Sequence, residues 1–161
     1  MASRSTRATE VARRSGINYQ LHEYEHDPEV RAYGLEAAQA LGIAAERVFK
    51  TLVLATGGGF WVALLPVAAT LDLRALGKHV ELAGPGDAER VSGYVTGGIS
   101  PLGQRRRLRT YLDQSALGHQ TIFISAGRRG LELELSPQDL IELTAAEVRH
   151  LTREQVPESA P

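Results

Sequence analysis

The 161-residue chain contains no cysteine. That absence excludes a disulfide framework, a thiolate-bound metal and a cysteine nucleophile together, and it fits a reducing compartment. No apolar stretch of the kind a secretory signal needs follows Met1-Ala2-Ser3-Arg4-Ser5-Thr6-Arg7. The longest apolar run, Phe60 to Ala69, is too short for a membrane span, and Pro66 interrupts it. A soluble, cytoplasmic protein is therefore expected. Charge of one sign is also lacking: 18 Lys+Arg stand against 19 Asp+Glu, a net −1, so the chain as a whole carries no attraction for nucleic acid. Internal repeats, low-complexity linkers, a Walker A loop and a dinucleotide fingerprint are absent.

What remains is enough for one core. Apolar residues make up 43%, inside the globular range, and the length suits one domain better than two. The domain is expected over 1–151, with a loose tail over 152–161 where two prolines and few apolar groups occur.

Thr6 is placed to cap a helix running through Arg14, with Ala8 and Val11 inward and Gly16 as the stop. Tyr19, Leu21 and Glu23 alternate with Gln20, His22 and Tyr24, a strand that ends at Asp27-Pro28. Leu35, Ala38 and Leu41 share a helical face that closes at Gly42. Val48–Ala55 and Phe60–Val67 flank Gly57-Gly58-Gly59, the signal of a hairpin buried on both faces. Short helices are expected over 72–78 and 87–91 around a brief strand over 80–82, and then a glycine-rich passage over 94–103. A second hairpin pairs Gln120–Ser125 with Leu131–Leu135, and Ser136-Pro137-Gln138-Asp139 opens a last helix. The order predicts an α+β fold around one sheet.

Lys50 is the one charged residue in Val48-Phe49-Lys50-Thr51-Leu52-Val53-Leu54-Ala55, and its face is shared with Val48, Leu52 and Leu54. A lysine in such surroundings either snorkels to water or is held in low dielectric, where it can direct a cation at a reacting carbonyl. His22-Glu23-Tyr24-Glu25-His26 spells the zinc-protease pattern H-E-x-x-H, which works only on a helix. On a strand the two imidazoles stand about 13 Å apart, at about 3.3 Å per residue, so no metal site is expected.

Gly97-Gly98-Ile99-Ser100-Pro101-Leu102-Gly103 is either a tight turn or a loop whose bare amides approach a ligand. Arg105, Arg106, Arg107 and Arg109 follow it, either as a solvated face or as phosphate contacts to RNA. Ser125 and Arg128-Arg129 stand at a strand end, where binding groups are common. Beyond them Leu131, Leu133 and Leu135 face the core, and Glu132 and Glu134 face outward or into a cleft. Glu132 is a candidate partner for Lys50.

Taken together, Tyr24-Glu25-His26-Asp27-Pro28, Val48-Phe49-Lys50-Thr51-Leu52, Gly97-Gly98-Ile99-Ser100-Pro101-Leu102-Gly103-Gln104 and Gly127-Arg128-Arg129-Gly130-Leu131 resemble the YbaK family. These are free-standing Cys-tRNA(Pro) deacylases, relatives of the editing domain inserted in bacterial prolyl-tRNA synthetases. The resemblance spans residues 5–150. It implies a single α+β domain with a mixed, antiparallel-rich, barrel-like sheet flanked by helices. It also implies a pocket for the 3′-terminal adenosine and its aminoacyl group.

By the same resemblance Lys50 is the essential lysine and Thr51 lines the pocket. Tyr24 and Tyr33 bring aromatic groups to the substrate, Gly97 and Gly98 form the backbone near the reacting ester, and Ser125 is a pocket serine. Arg129 and Glu132 join the substrate-binding set, and Arg105, Arg106 and Arg107 are assigned to tRNA phosphates. The family usually has aspartate where this chain has Glu132, one methylene longer.

The implied chemistry is substrate-assisted: the thiol of a mischarged cysteine attacks its own ester, and no cofactor or metal is called for. A transient complex with prolyl-tRNA synthetase is implied as well. The competing expectations are a water-using deacylase of another misacylated tRNA such as Ala-tRNA(Pro), a non-catalytic RNA- or nucleotide-binding module, and, from the histidines, a zinc peptidase.

Overall fold

The computed structural model describes residues 4–153. Thr6 opens α1 (Arg7–Ser15) with a reciprocal cap: its hydroxyl accepts from the Thr9 amide at 3.1 Å, and its own amide donates to Thr9 Oγ1 at 2.8 Å. Ala8 and Ala12 are fully buried, and Val11 packs at their margin. The chain continues through β1 (Tyr19–Glu23), α2 (Tyr33–Leu41), β2 (Phe49–Thr56) and β3 (Gly59–Pro66). After β4 (Glu81–Leu82) and α3 (Pro85–Ser92) come β5 (Arg109–Asp113), β6 (Ile122–Arg128) and β7 (Leu131–Leu135). It closes with α4 (Pro137–Thr144), capped by Ser136, and β8 (Glu147–Arg149).

The α+β expectation holds, but the strands divide between two sheets where one was expected. The strands form a three-stranded antiparallel sheet in the order β1-β7-β6 and a five-stranded mixed sheet in the order β4-β2-β3-β5-β8. In the second, β5 runs parallel to both β3 and β8. A parallel bridge between Val48 and Phe123 joins the two. Phe49, Leu64 and Leu112 meet Ile122, Ile124, Leu131, Leu133 and Leu135 in one core between the sheets, each leucine contributing about 1.5–3 kcal/mol by burial. Leu54, Ala63, Leu65 and Tyr111 form a second core on the outer face of the larger sheet, under Leu71, Leu76 and Leu151.

Three details differ from the sequence reading. Leu35 is 45% exposed, because α2 buries the face of Ala37 and Ala38 instead. Gly34 sets that rotation: a Cβ there would lie 2.2 Å from Val67 Cγ1, so only glycine lets α2 settle against the end of β3. β2 is not buried on both faces, since Lys50, Thr51 and Leu52 are only half-covered.

The third concerns the end of the chain, where packing continues past 151. Leu151 donates to buried Asp113 at 2.8 Å, Thr152 bridges Leu71, and the Arg153 amide donates to the Thr70 carbonyl at 2.9 Å. Residues 154–161, the rest of the expected tail, lie outside the described residues. Among the described residues no helix is long and apolar enough to cross a membrane.

Candidate active site

A cavity of about 420 Å³ opens between the sheets, walled by β2 on one side and by β6 and β7 on the other. The start of α2 and the segments around α3 complete it. The paired apolar strands thus create a dry interior that exposes a few polar groups at its wall. Seven of the nine pocket residues expected from the sequence line it: Lys50, Tyr24, Tyr33, Thr51, Gly97, Ser125 and Glu132.

Lys50 projects from the first turn of the β2 ladder, opposite Leu65. Its ammonium donates to the Ala69 carbonyl at 2.7 Å and to the Val67 carbonyl at 3.4 Å. Partial burial lowers its pKa from the ordinary lysine value. No carboxylate lies within ion-pairing distance among the described residues, so the expected pairing with Glu132 is not made. The physical reason is that neutral carbonyls at the end of β3 already hold the amine and leave its charge uncancelled.

Two glutamates on one strand show what the cavity does to a carboxylate. Glu132 and Glu134 are two residues apart on β7 and share a face. Glu134 accepts from His22 Nε2 at 2.8 Å, from Thr121 Oγ1 at 2.5 Å and from Arg47 at 3.5 Å. Burial pushes its carboxyl up, but the Thr121 hydroxyl, His22 and Arg47 together hold it below the ordinary value. Glu132 has no such donors. Only 6% exposed, its Oε2 has no hydrogen-bond partner, and burial pushes its pKa up to about 8. Burial thus favours the protonated form of Glu132 in the cavity wall. The Thr51 hydroxyl is likewise buried without a partner. Unsatisfied buried polar atoms at a cavity mark where a polar ligand completes the hydrogen bonding.

Tyr24 follows β1, and its phenol is pushed up to about 12, by burial first and then by the neighbouring Glu132 carboxyl. Ser125 faces Glu132 across the β6–β7 ladder and accepts from the Gly127 amide at 3.2 Å. Gly97 adopts φ +87°, and a Cβ on it would lie 2.8 Å from the Tyr33 ring, so at this position the loop 94–103 reaches the cavity as bare backbone, between the lining residues Thr96 and Ile99. The loop is anchored by the Thr96 amide, which donates to Glu89 at 2.6 Å.

Gly98 and Arg129 stand just outside the lining. Gly98 packs on the Arg128 backbone, with a Cβ position 2.7 Å from Arg128 Cα. Arg129 supports the wall instead: its guanidinium lies 4.8 Å from the centre of the Tyr33 ring, and its Nε donates to the Thr96 carbonyl at 2.8 Å. The neighbouring Arg128, noted beside Arg129 in the sequence but not assigned to the substrate, is the arginine that lines the cavity. A bulge between Ser125 and Arg128 breaks the two-residue alternation that would have told the two apart. Arg105, Arg106 and Arg107 are exposed and away from this cavity.

The H-E-x-x-H residues do not converge. His22 bonds Glu134 from the strand β1, whereas His26 Nδ1 lies 2.7 Å from Glu36 Oε1. Glu36 Oε2 also accepts from the Asp27 amide at 2.9 Å, tying the loop after β1 to α2 and setting Tyr33 beside His26. Among the described residues no three His, Asp or Glu side chains are grouped to hold a metal.

Known proteins share this architecture. The family described as the aminoacyl-tRNA editing domain matches residues 27–143. The Enterococcus faecalis protein named "Putative Cys-tRNA(Pro)/Cys-tRNA(Cys) deacylase EbsC" is 33% identical over 156 residues, covering 93% of this chain and 94% of its own. The Bacillus subtilis protein YwhH, described as uncharacterized, is 28% identical over 70% of this chain and 75% of its own. The solved structure described as "a putative trans-editing enzyme for prolyl tRNA synthetase" superposes with a TM-score of 0.84 at 25% identity, over 96% of this chain and 99% of that one. A second, of a protein described as hypothetical, gives 0.83 at 24% identity, over 92% and 100%. With its cavity on the same fold, this chain belongs to the YbaK/EbsC family of aminoacyl-tRNA editing domains.

Proposed function

We propose that this protein removes cysteine from mischarged Cys-tRNA(Pro), the cysteine thiol attacking its own ester. The observation that carries the reading is a half-buried lysine without a counter-ion at a cavity that holds no nucleophile–base pair. No histidine lines the cavity, and Ser125 is hydrogen-bonded to the Gly127 amide with no base set against its hydroxyl. Such a site orients an ester and stabilises developing negative charge, and the nucleophile comes with the substrate.

In this reading the thiol sulfur bonds to the carbonyl carbon, and the ester carbon–oxygen bond breaks. The thiol proton passes to the departing 3′-oxygen of the tRNA, and a cyclic thioester is released. Lys50 faces the carbonyl oxygen as its charge grows, with the Gly97 backbone beside it. Glu132 receives the α-ammonium group, giving up its proton to become the carboxylate that this cation stabilises. Support for tRNA(Pro) comes from the description of the EbsC relative, and a transient complex with prolyl-tRNA synthetase is part of this proposal.

The test is deacylation of Cys-tRNA(Pro) by wild type and Lys50→Ala, with and without the synthetase, beside Ser-tRNA and Ala-tRNA(Pro). We expect Cys-tRNA to be cleaved, the thiol-free esters to survive, and Lys50→Ala to lose about 10²-fold or more in kcat. Native-rate cleavage by Lys50→Ala overturns the role of the lysine. Equal cleavage of seryl and cysteinyl esters replaces the thiol with water as nucleophile.

A further inference from the structure

A second hollow, of about 780 Å³, lies farther along β2, at the tip of the β2–β3 hairpin. Val53 lines the cavity and Thr56 lines the hollow, three residues or about 10 Å apart on one strand. Val80 and Leu82 make the same passage on the next segment, Val80 in the hollow and Leu82 at the cavity. The tip of the β2–β3 hairpin forms one side, with open space around Gly57, Gly58 and Gly59. Phe60 and Trp61 give it an aromatic surface, and Arg106, Arg107 and His79 stand along its margin. No carboxylate lines it.

The arginines there differ from several others. Arg13 and Arg14 are paired with Glu10, Arg90 with Asp87, and Arg109 and Arg149 with Glu147. Arg105, Arg106 and Arg107 are exposed, and no carboxylate lies within ion-pairing distance of them among the described residues. Three adjacent uncompensated cations repel one another and are stabilised by a polyanion. Cations beside aromatic rings along an open channel are what a single-stranded nucleic acid requires, phosphates on the former and bases on the latter.

We infer that this hollow holds the phosphodiester backbone of the unpaired 3′ end of the substrate tRNA. The inference rests on the proposed tRNA substrate. A cavity of about 420 Å³ takes an aminoacylated terminal nucleoside, and the nucleotides before it must leave by the rim. The hollow lies farther along the same strand, about 10 Å from the last β2 residue of the cavity wall. A chain with net charge −1 thus still presents a local run of three cations to RNA.

The experiment measures binding of uncharged tRNA over a salt series, so it reads the surface whether or not any ester is cleaved. The R105S/R106S/R107S variant should lower the slope of log affinity against log salt by about 2, at about 0.7 per single-strand phosphate. That is a loss of roughly 50-fold at about 0.15 M salt relative to 1 M. R105K/R106K/R107K should keep the wild-type slope, which separates lost charge from a damaged fold. Removing paired charge elsewhere, with R13S/R14S, should leave the slope unchanged. A tRNA trimmed of its unpaired 3′ end should bind wild type with the shallow slope of the serine variant. Equal slopes for wild type and the serine variant overturn the inference, as does an equal loss in R13S/R14S. A trimmed tRNA that keeps the full slope moves the contact to the duplex stem and overturns it as well.

Discussion

Glu132→Gln separates the charge of this carboxyl from its shape, and the structure says how large the effect is. The folded chain holds the Glu132 proton up to about pH 8, whereas its ordinary value is 4.5. Between those two values the native state keeps a proton that the unfolded state has released, so stability falls as pH rises. Below pH 4.5 both states are protonated and the penalty vanishes; above about 8 it is complete. At about 1.4 kcal/mol per unit, the full penalty is at most about 5 kcal/mol, a large part of the 5–15 kcal/mol that holds a typical domain together.

Glutamine occupies the same space without a titrating proton. Urea unfolding midpoints of wild type and Glu132→Gln, taken at intervals from pH 4.5 to 8.5, should therefore diverge, the variant gaining on the wild type at each step. Every other ionisable group is common to both proteins and cancels in the difference. Parallel curves would mean that Glu132 ionises at an ordinary pH, and the account of its burial would be refuted.

Other perturbations follow from the same geometry. Substrate binding at pH 7 should release a proton as Glu132 ionises against the α-ammonium group, measurable in a weakly buffered indicator solution and absent in Glu132→Gln. Gly97→Ala should cost about 1–3 kcal/mol, because φ +87° disfavours a side chain and the new Cβ meets Tyr33; kcat/KM should fall with it. Thr6→Ala removes the cap of α1 and a hydroxyl bond to the Ala126 carbonyl, and should lower unfolding stability by about 1–2 kcal/mol. His26→Ala takes one of two donors from Glu36 and loosens the loop that carries Tyr33, so KM should rise more than kcat falls.

The elements that were legible are those with strong local chemistry. Thr6, Gly16, Gly42 and Ser136 mark helix ends by capping, and the glycines at 57–59 mark a hairpin whose register then follows from strand pairing. β5 and β8 left no such mark. β5 shows only Tyr111-Leu112 as an apolar pair, and β8 has three residues; both exist because they lie parallel against β3 and each other, a relation between distant segments. The cavity was legible through Lys50, where a charge breaks an apolar strand. The isolation of Glu132 was not, because the sequence presents Glu132 and Glu134 alike, and only the positions of His22, Thr121 and Arg47 distinguish them.

The first strand of the smaller sheet waits for a partner far along the chain. Tyr19 pairs with Leu135, and Glu23 with Leu131, across most of the intervening fold. On the ribosome β1 therefore emerges long before its partner exists, and Tyr24 cannot reach Glu132 until β7 has been made. Such distant pairing slows folding and leaves the early segments uncovered meanwhile. A product terminated before β6 keeps Lys50 and the β2–β3 hairpin but lacks the opposite wall. The cavity thus arises all at once, when β6 and β7 join β1.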